Sequence, residues 1–214
     1  MSRIIEFVGV PCCGKSTLAH YVAKELKYDE TQYIYSHIES STKRIVLKLF
    51  CTCVFVLTHP MKSALFIIKG LSPAFFINFA FIKWVCLKKN IVLEQGYCQL
   101  VMSFFEQKTL ITSKKITEIV DLILPKTDDI LVVFVDVSIQ NIKNRIKMRK
   151  INDLPKFSKN DDIDSNIKSM QYCLNLMEFI LKKKKNTAVF HIQNDRALTD
   201  TVKKQILDSI KKMI

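Results

Sequence analysis

Apolar and polar positions along this chain recur at two periods, and they alternate in a fixed order. Ile4-Ile5 and Phe7-Val8 form an apolar run of the length of one buried strand. Directly behind it, Leu18, Tyr21, Val22 and Leu26 recur at three- and four-residue steps, which predicts a helix. The order returns at Asn90–Glu94, an apolar run followed by Gly96 and then by Leu100, Val101, Phe104 and Phe105 at helical spacing. It returns again at Ile130–Asp136, the clearest buried strand, with a helix beginning at Ser138. Thr187–Ile192 is the last expected strand and Leu198–Met213 a closing amphipathic helix. Further helices are expected over Thr112–Leu124 and Ile163–Leu181, and one starting at Ser40-Ser41-Thr42. Tyr28–Gln32 is polar and reads as a loop, and Tyr33-Ile34-Tyr35 as a short second strand. Strands alternating with helices predict an α/β fold, a parallel sheet covered by helices on both faces.

Leu47–Leu87 breaks the alternation. Ser63–Ile82 holds a single charge, Lys69, and approaches the length of a membrane span. Gly70 and Pro73 divide it into shorter helices. A single crossing here would also leave the first strand and the later ones on opposite sides of a bilayer, where no common sheet could form. The favoured expectation is therefore buried helices that pack on the sheet and wall a pocket. A membrane-touching surface over 47–87, flanked by Lys83, Lys88 and Lys89, is the alternative. The insertion spans about residues 40–89 of one domain covering 1–214, and Ile151–Asp162, polar and carrying Pro155, reads as a short lid, about 149–162.

Composition refines this picture in two places. Hydrophobic residues make up 49% of the 214, enough for a sizeable core. Seven cysteines, an odd number with no C-x-x-C pair, form neither a disulfide framework nor a zinc pattern. Reduced thiols and the absence of a basic leader at the first strand point to a cytoplasmic protein. The net charge of +13 suits anionic ligands, yet only five of the 33 basic residues are arginine. Lysine spread over helix faces reads as compositional bias and not as a nucleic-acid interface. The Lys182–Lys185 run reads as a solvated helix end. Nothing specifies an oligomer; a homodimer stays open.

The chemistry is concentrated behind the first strand. Gly9-Val10-Pro11-Cys12-Cys13-Gly14-Lys15-Ser16 fits G-x-x-x-x-G-K-[ST], the Walker A pattern of a P-loop, in the strand–loop–helix context that the motif requires. Backbone N–H groups must converge on a polyphosphate, and glycines let the chain curl around it. The start of the next helix adds unpaired donors and partial positive charge. Lys15 can reach the β/γ-phosphates, and the Ser16 hydroxyl can hold Mg²⁺. The candidate nucleotide contacts are Gly9, Pro11, Cys12, Cys13, Gly14, Lys15, Ser16 and Thr17, with Asn194 in the loop after the last strand. Cys12 and Cys13 are expected to fill space, although the helix dipole could lower a thiol pKa there.

Two strand-end carboxylates compete for the metal. Ligands of doubly wound sheets sit at the carboxyl ends of strands. Glu94 would lie near the phosphate loop if its strand neighbours the first, where it could serve Mg²⁺ or take the proton of an attacking hydroxyl. Asp136 is the second choice, because Ser138 begins a helix so soon that Asp136 could simply orient that turn. Arg145 and Arg149 share a helix face at the root of the lid, where guanidinium forks could meet a transferring phosphoryl group. Arg44, near the insertion's first turn, is a weaker acceptor-side candidate.

In this order the motifs resemble the P-loop nucleoside and nucleotide kinases of the thymidylate kinase-like group, over nearly the whole chain. The resemblance is carried by Gly9–Thr17, by Glu94-Gln95-Gly96, by Val135-Asp136-Val137-Ser138 and by Arg145–Arg149 before a lid. It implies a three-layer sandwich with a five-stranded parallel sheet, the P-loop NTPase fold. It also implies ATP with Mg²⁺ and γ-phosphoryl transfer to a small acceptor. Lys15, Glu94, Arg145 and Arg149 would then be catalytic, with Ser16 and Glu94 or Asp136 at the metal. Gln95 stands where thymidylate kinases proper have an arginine, and Ser36–Ser40 replaces their acceptor-phosphate signature, so the acceptor stays open. Two other functions remain beside this transferase reading. One is a regulatory ATPase without acceptor; the other is a membrane-surface kinase-like protein of glycan-precursor metabolism.

Overall fold

The computed structural model describes residues 3–30, 41–87, 90–105, 112–124, 129–148, 163–196 and 198–214. The first strand, β1 (Arg3–Val8), runs through the Gly9–Gly14 loop into α1 (Lys15–Leu26). Lys27 in the left-handed conformation ends α1, and the chain turns into β2 (Asp29–Glu30). Three helices follow, α2 (Ser41–Thr58), α3 (Pro60–Ile68) and α4 (Pro73–Val85). Then come β3 (Ile91–Leu93), α5 (Tyr97–Phe105), α6 (Ser113–Ile123) and β4 (Asp129–Asp136). The last elements are α7 (Ile139–Lys147), α8 (Ile163–Leu181), β5 (Thr187–Gln193) and α9 (Asp200–Met213).

The sheet is five-stranded and parallel, in the order β2-β3-β1-β4-β5. β1 is central, with Ile5 opposite Val92 of β3 on one side and Leu131 of β4 on the other. Strands buried on both faces read as continuous apolar runs, which is why β1, β3 and β4 were legible. The α/β expectation holds. α1 lies on β1 and β3 and meets α9, while α5 packs on β1 and on α8, which in turn covers β5. The order reverses between β3 and β4, so the crevice at the carboxyl ends of β1, β3 and β4 is the switch point where such sheets bind ligands.

Three expectations need correcting or bounding. Asp29–Glu30, inside the stretch read as a loop, pairs with Ile91-Val92 as the edge strand. Two polar residues carry no readable period; the Glu30 side chain is nevertheless buried, and its carboxylate meets His20 Nδ1 at 3.0 Å. Tyr33–Tyr35, Arg149 and the lid at 149–162 lie outside the described residues. The apolar middle is the third. α4 buries Phe75, Phe79, Ala80, Phe81, Ile82 and Val85 as expected, but α2 and α3 reach the domain largely through α4 and leave most of their apolar residues exposed. A hydrophobic run predicts burial only if there is something to bury it against, and α4 occupies that position.

Helix boundaries follow their caps. Ser72, Thr112, Ser138 and Thr199 each accept the N–H of the residue three further on. The Thr199 cap starts α9 at Asp200, two residues after the apolar period begins at Leu198.

Candidate active site

The loop between β1 and α1 is shaped by steric limits that can be stated atom by atom. A Cβ on Gly9 would lie 2.7 Å from the Val135 carbonyl oxygen, so β1 ends hard against the end of β4. Gly14 has φ +95° and a Cβ there would meet Asn194 Nδ2 at 2.5 Å. Both positions therefore need glycine, Gly14 for conformation as well as space. Cys12 also adopts positive φ, at 67°. Cys13 N–H donates to Val10 O at 3.2 Å, which tightens the turn. The Cys13 side chain is buried, and burial pushes its thiol up from the ordinary range. It fills space, as its size and apolar character suggest.

Ser16 and Glu94 come together. The Ser16 hydroxyl donates to Glu94 Oε1, across 78 residues of sequence, because β3 lies directly beside β1. The neighbouring-strand condition on Glu94 is thus met. Lys15 and Glu94 are both half-buried, at the carboxyl edge of the sheet. Asp136 is placed differently. It ends β4 half-buried, with its carboxylate 2.8 Å from His191 Nδ1 on β5, and His191 Nε2 is 3.0 Å from Glu178. Nor does Asp136 orient the start of α7. That task falls to Asp195, whose Oδ1 accepts the Ser138 N–H at 2.7 Å and Asn141 Nδ2 at 2.9 Å. These bonds hold the Asp195 carboxyl well below the usual range.

Arg145 reaches the phosphate loop from α7, but its guanidinium is committed to backbone. It donates to Cys12 O at 3.2 Å, Cys13 O at 3.0 Å and Asn194 O at 2.6 Å. Asn194 itself is buried, with Nδ2 donating to Cys13 O at 2.6 Å and its N–H to Asp136 O at 2.8 Å. Arg145 and Asn194 thus tie the loop to the ends of β4 and β5. Beside them opens a cleft of about 450 Å³ lined by Cys12, Gly14, Thr17, Arg145, Met148, Asn194, Arg196 and Leu198. That volume falls within the usual range for small-molecule sites. Asn194 Oδ1 is buried without a hydrogen-bond partner among the described residues. Arg44 is exposed in the first turn of α2.

One residue escaped the sequence reading. Glu6, in the middle of β1, is fully buried. Its Oε1 accepts the N–H groups of Cys98 at 2.7 Å and Gln99 at 3.1 Å, at the start of α5. Its Oε2 has no hydrogen-bond partner among the described residues. Burial raises its pKa to about 7, against the lowering effect of the Gln99 and Cys98 N–H groups and the Cys98 thiol. A Cβ on Gly96 would lie 2.6 Å from Glu6 Cδ, so the turn that carries Glu94 rests directly on this carboxyl. The available signal was a lone acid inside the apolar run Ile4–Val8.

The loop, the parallel sheet and the Ser16–Glu94 contact define a P-loop kinase fold. No family model and no curated protein matches the sequence. Solved structures share the fold over nearly full length. Deoxyadenosine kinase from M. mycoides, solved with dCMP and dCDP, superimposes with TM-score 0.58 at 13% identity, covering 98% of this chain and 99% of that one. Thymidylate kinase from Candida albicans gives TM-score 0.55 at 13% identity, with 99% and 92% covered. Shikimate kinase from Bacteroides thetaiotaomicron gives 0.52 at 12% identity, with 100% and 98% covered. At such identities the likeness establishes the fold, which these kinases of nucleosides, nucleotides and shikimate have in common.

Proposed function

We propose that this chain is an ATP-dependent phosphotransferase that moves a γ-phosphoryl group to a small acceptor of the nucleoside or nucleotide class. The observation that carries the reading is the Ser16–Glu94 contact at the mouth of the glycine loop. A chance glycine turn has no reason to place a hydroxyl and a carboxylate, distant in sequence, at one point beside it. The donor set suits Mg²⁺, a hard cation that prefers oxygen ligands and keeps several waters. Ser16 and Glu94 would hold it, and bound there it would neutralise charge on the β- and γ-phosphates.

The chain's own groups have separable tasks. Loop N–H groups and the α1 N-terminus bind the polyphosphate, and Lys15 meets charge that grows on the γ-phosphoryl oxygens. The acceptor's hydroxyl oxygen, or a phosphate oxygen of a nucleotide acceptor, forms the new P–O bond while the bond from γ-phosphorus to the bridging oxygen breaks, releasing ADP. Glu94 takes the proton of a hydroxyl acceptor. Arg145 positions the loop from behind, in place of the direct role at the phosphoryl group that its sequence position suggested. The nucleobase fits the cleft between Arg145, Met148 and Leu198. The structural neighbours named as deoxyadenosine and thymidylate kinases favour the nucleoside and nucleotide class over other alcohols.

The test is an ADP-release screen of the purified chain against nucleosides, nucleoside monophosphates, sugars and shikimate, with Lys15→Ala and Glu94→Gln as controls. Acceptor-dependent turnover is expected, falling on the order of 10²-fold or more in each variant. MgATP at about 100 times Kd should add about 2.7 kcal/mol of stability. That corresponds to a Tm rise on the order of 5–10 °C for a chain of this size. Slow hydrolysis indifferent to every acceptor would replace this reading with a regulatory ATPase.

A further inference from the structure

We propose that the outward faces of α2 and α3 form a docking surface for an anionic lipid bilayer. A helix on the surface of a water-soluble domain carries polar residues on its outer side. α2 does not. Its inner side buries Cys51 and Phe55, yet Ile45, Val46, Leu49, Phe50, Val56 and Leu57 are all exposed, and at 100° per residue they fill one continuous outer arc. α3 leaves α2 at a bend of 107° and continues the surface with Met61, Leu65, Ile67 and Ile68. Leu57, Met61 and Ile67 are each 80% exposed or more. Isolated apolar side chains on a surface need no explanation, but ten on two consecutive helices mark an interaction site.

Charge selects the occupant. Residues 41–87 contain six basic residues, Lys43, Arg44, Lys48, Lys62, Lys69 and Lys83, and no aspartate or glutamate. Lys48 and Lys62 lie over the Phe81 and Phe79 rings of α4 and Lys69 pairs with Glu118 of α6, while Lys43 and Arg44 are exposed in the first turn of α2. Exposed apolar side chains on a segment with six basic residues and no acid of its own are the composition of a helix that lies in the interface of an anionic membrane. A second copy of the chain fits less well. A two-fold contact would set this patch against itself and bring two strongly cationic segments together. Crossing the bilayer fits less well. No single helix among the described residues is long and apolar enough, and α2 with α3, which together have the length and composition, are bent by 107°. The inner sides of α2 and α3 are also held to α4 by a ring cluster, in which Phe55, Phe66, Phe76 and Phe79 lie 4.8 to 5.7 Å apart between centroids. The helices therefore lie on the membrane while still packed on the domain.

The surface excludes every residue assigned to phosphoryl transfer, so its test is independent of the proposed activity. The full chain is sedimented with vesicles of phosphatidylcholine alone and of phosphatidylcholine mixed with phosphatidylserine, and its oligomeric state is measured by sedimentation equilibrium. The expected result is pelleting with the phosphatidylserine vesicles, weakened by added salt. Leu57→Glu with Ile67→Glu should reduce it on the order of a hundredfold, at about tenfold per buried side chain. Both positions are exposed, so the melting temperature should not change; Val46→Ser, a milder change on the same arc, should give a smaller loss in the same direction. Equal binding to both vesicle types, or equal pelleting of parent and variants, would overturn the proposal. So would a dimer that the double variant dissociates while neither form binds vesicles, since the face would then be a contact between copies.

Discussion

Replacing Glu6 by glutamine should change how stability depends on pH, with a sign and size that the structure sets. The carboxyl sits at full burial in the central strand, and its pKa rises from 4.5 to about 7 because desolvation outweighs the N–H groups of α5. The folded value thus exceeds the unfolded one. Below pH 4.5 both states hold the proton and the group contributes no difference. Between the two values the unfolded chain releases its proton while the folded chain keeps it, so stability falls as pH rises. Above about 7 both are ionised and the full cost is present. At about 1.4 kcal/mol per pH unit of separation, the cost comes to about 3 kcal/mol. That is a large part of the total stability of a typical domain. Glutamine keeps the Oε1 acceptor for Cys98 and Gln99 and removes the titration. Whatever constant offset its amide introduces beside Gly96, the stability of Glu6→Gln relative to the parent should rise by about 3 kcal/mol between pH 4.5 and 8. Urea melts at half-unit pH steps measure it directly, since all other titrating groups are common to both proteins. Parallel curves would show that the Glu6 carboxyl ionises in the fold as easily as in the unfolded chain, and the desolvation argument would fail.

Three further outcomes test other parts of the site. Gly14→Ala forces a Cβ into φ +95° and within 2.5 Å of Asn194 Nδ2; it should cost about 1–2 kcal/mol for the backbone alone. Because Asn194 must move off the loop, the Tm increment from MgATP should be lost even where the fold survives. Arg145→Lys cannot span Cys12 O, Cys13 O and Asn194 O together, and each charged hydrogen bond lost is worth about 1.5 kcal/mol or more. KM for nucleotide should rise about tenfold or more, with kcat falling less, whereas a direct role at the phosphoryl group would reverse that split. Asp195 has a folded pKa depressed below its unfolded 3.8 by the Ser138 N–H and Asn141. Its contribution is present above that value and is lost as pH falls through the folded one, so Asp195→Asn should flatten the acid side of a melting-temperature profile.

What could be read from the sequence depended on whether the signal was local. The Gly9–Ser16 motif, the apolar strands and the capped helices are set by neighbours within a turn or two, and the structure reproduces them closely. The same reading could give Glu94 only a conditional place, because adjacency of β3 to β1 is a property of the sheet order. It could bring Arg145 toward the phosphate loop but not show its bonds to Cys12 O, Cys13 O and Asn194 O, since backbone acceptors 132 residues away are not legible. Glu6 was passed over for the opposite reason. An acid inside an apolar strand looks like an exposed alternation, and only the start of α5, folded back onto that face, turns it into a buried support for the Glu94 turn. The apolar middle shows the same limit from the other side. Its hydrophobicity was plain, but whether a helix faces a core or the surrounding medium depends on what already covers the core. α4 packs on α5 and takes the place beside the core here, so most of the hydrophobicity of α2 and α3, beyond Cys51, Phe55 and Phe66, is left outside it. Ten exposed apolar side chains on two consecutive helices, without a core to join, require a reason outside the domain, and six basic residues with no acid within the same segment narrow it to an anionic one.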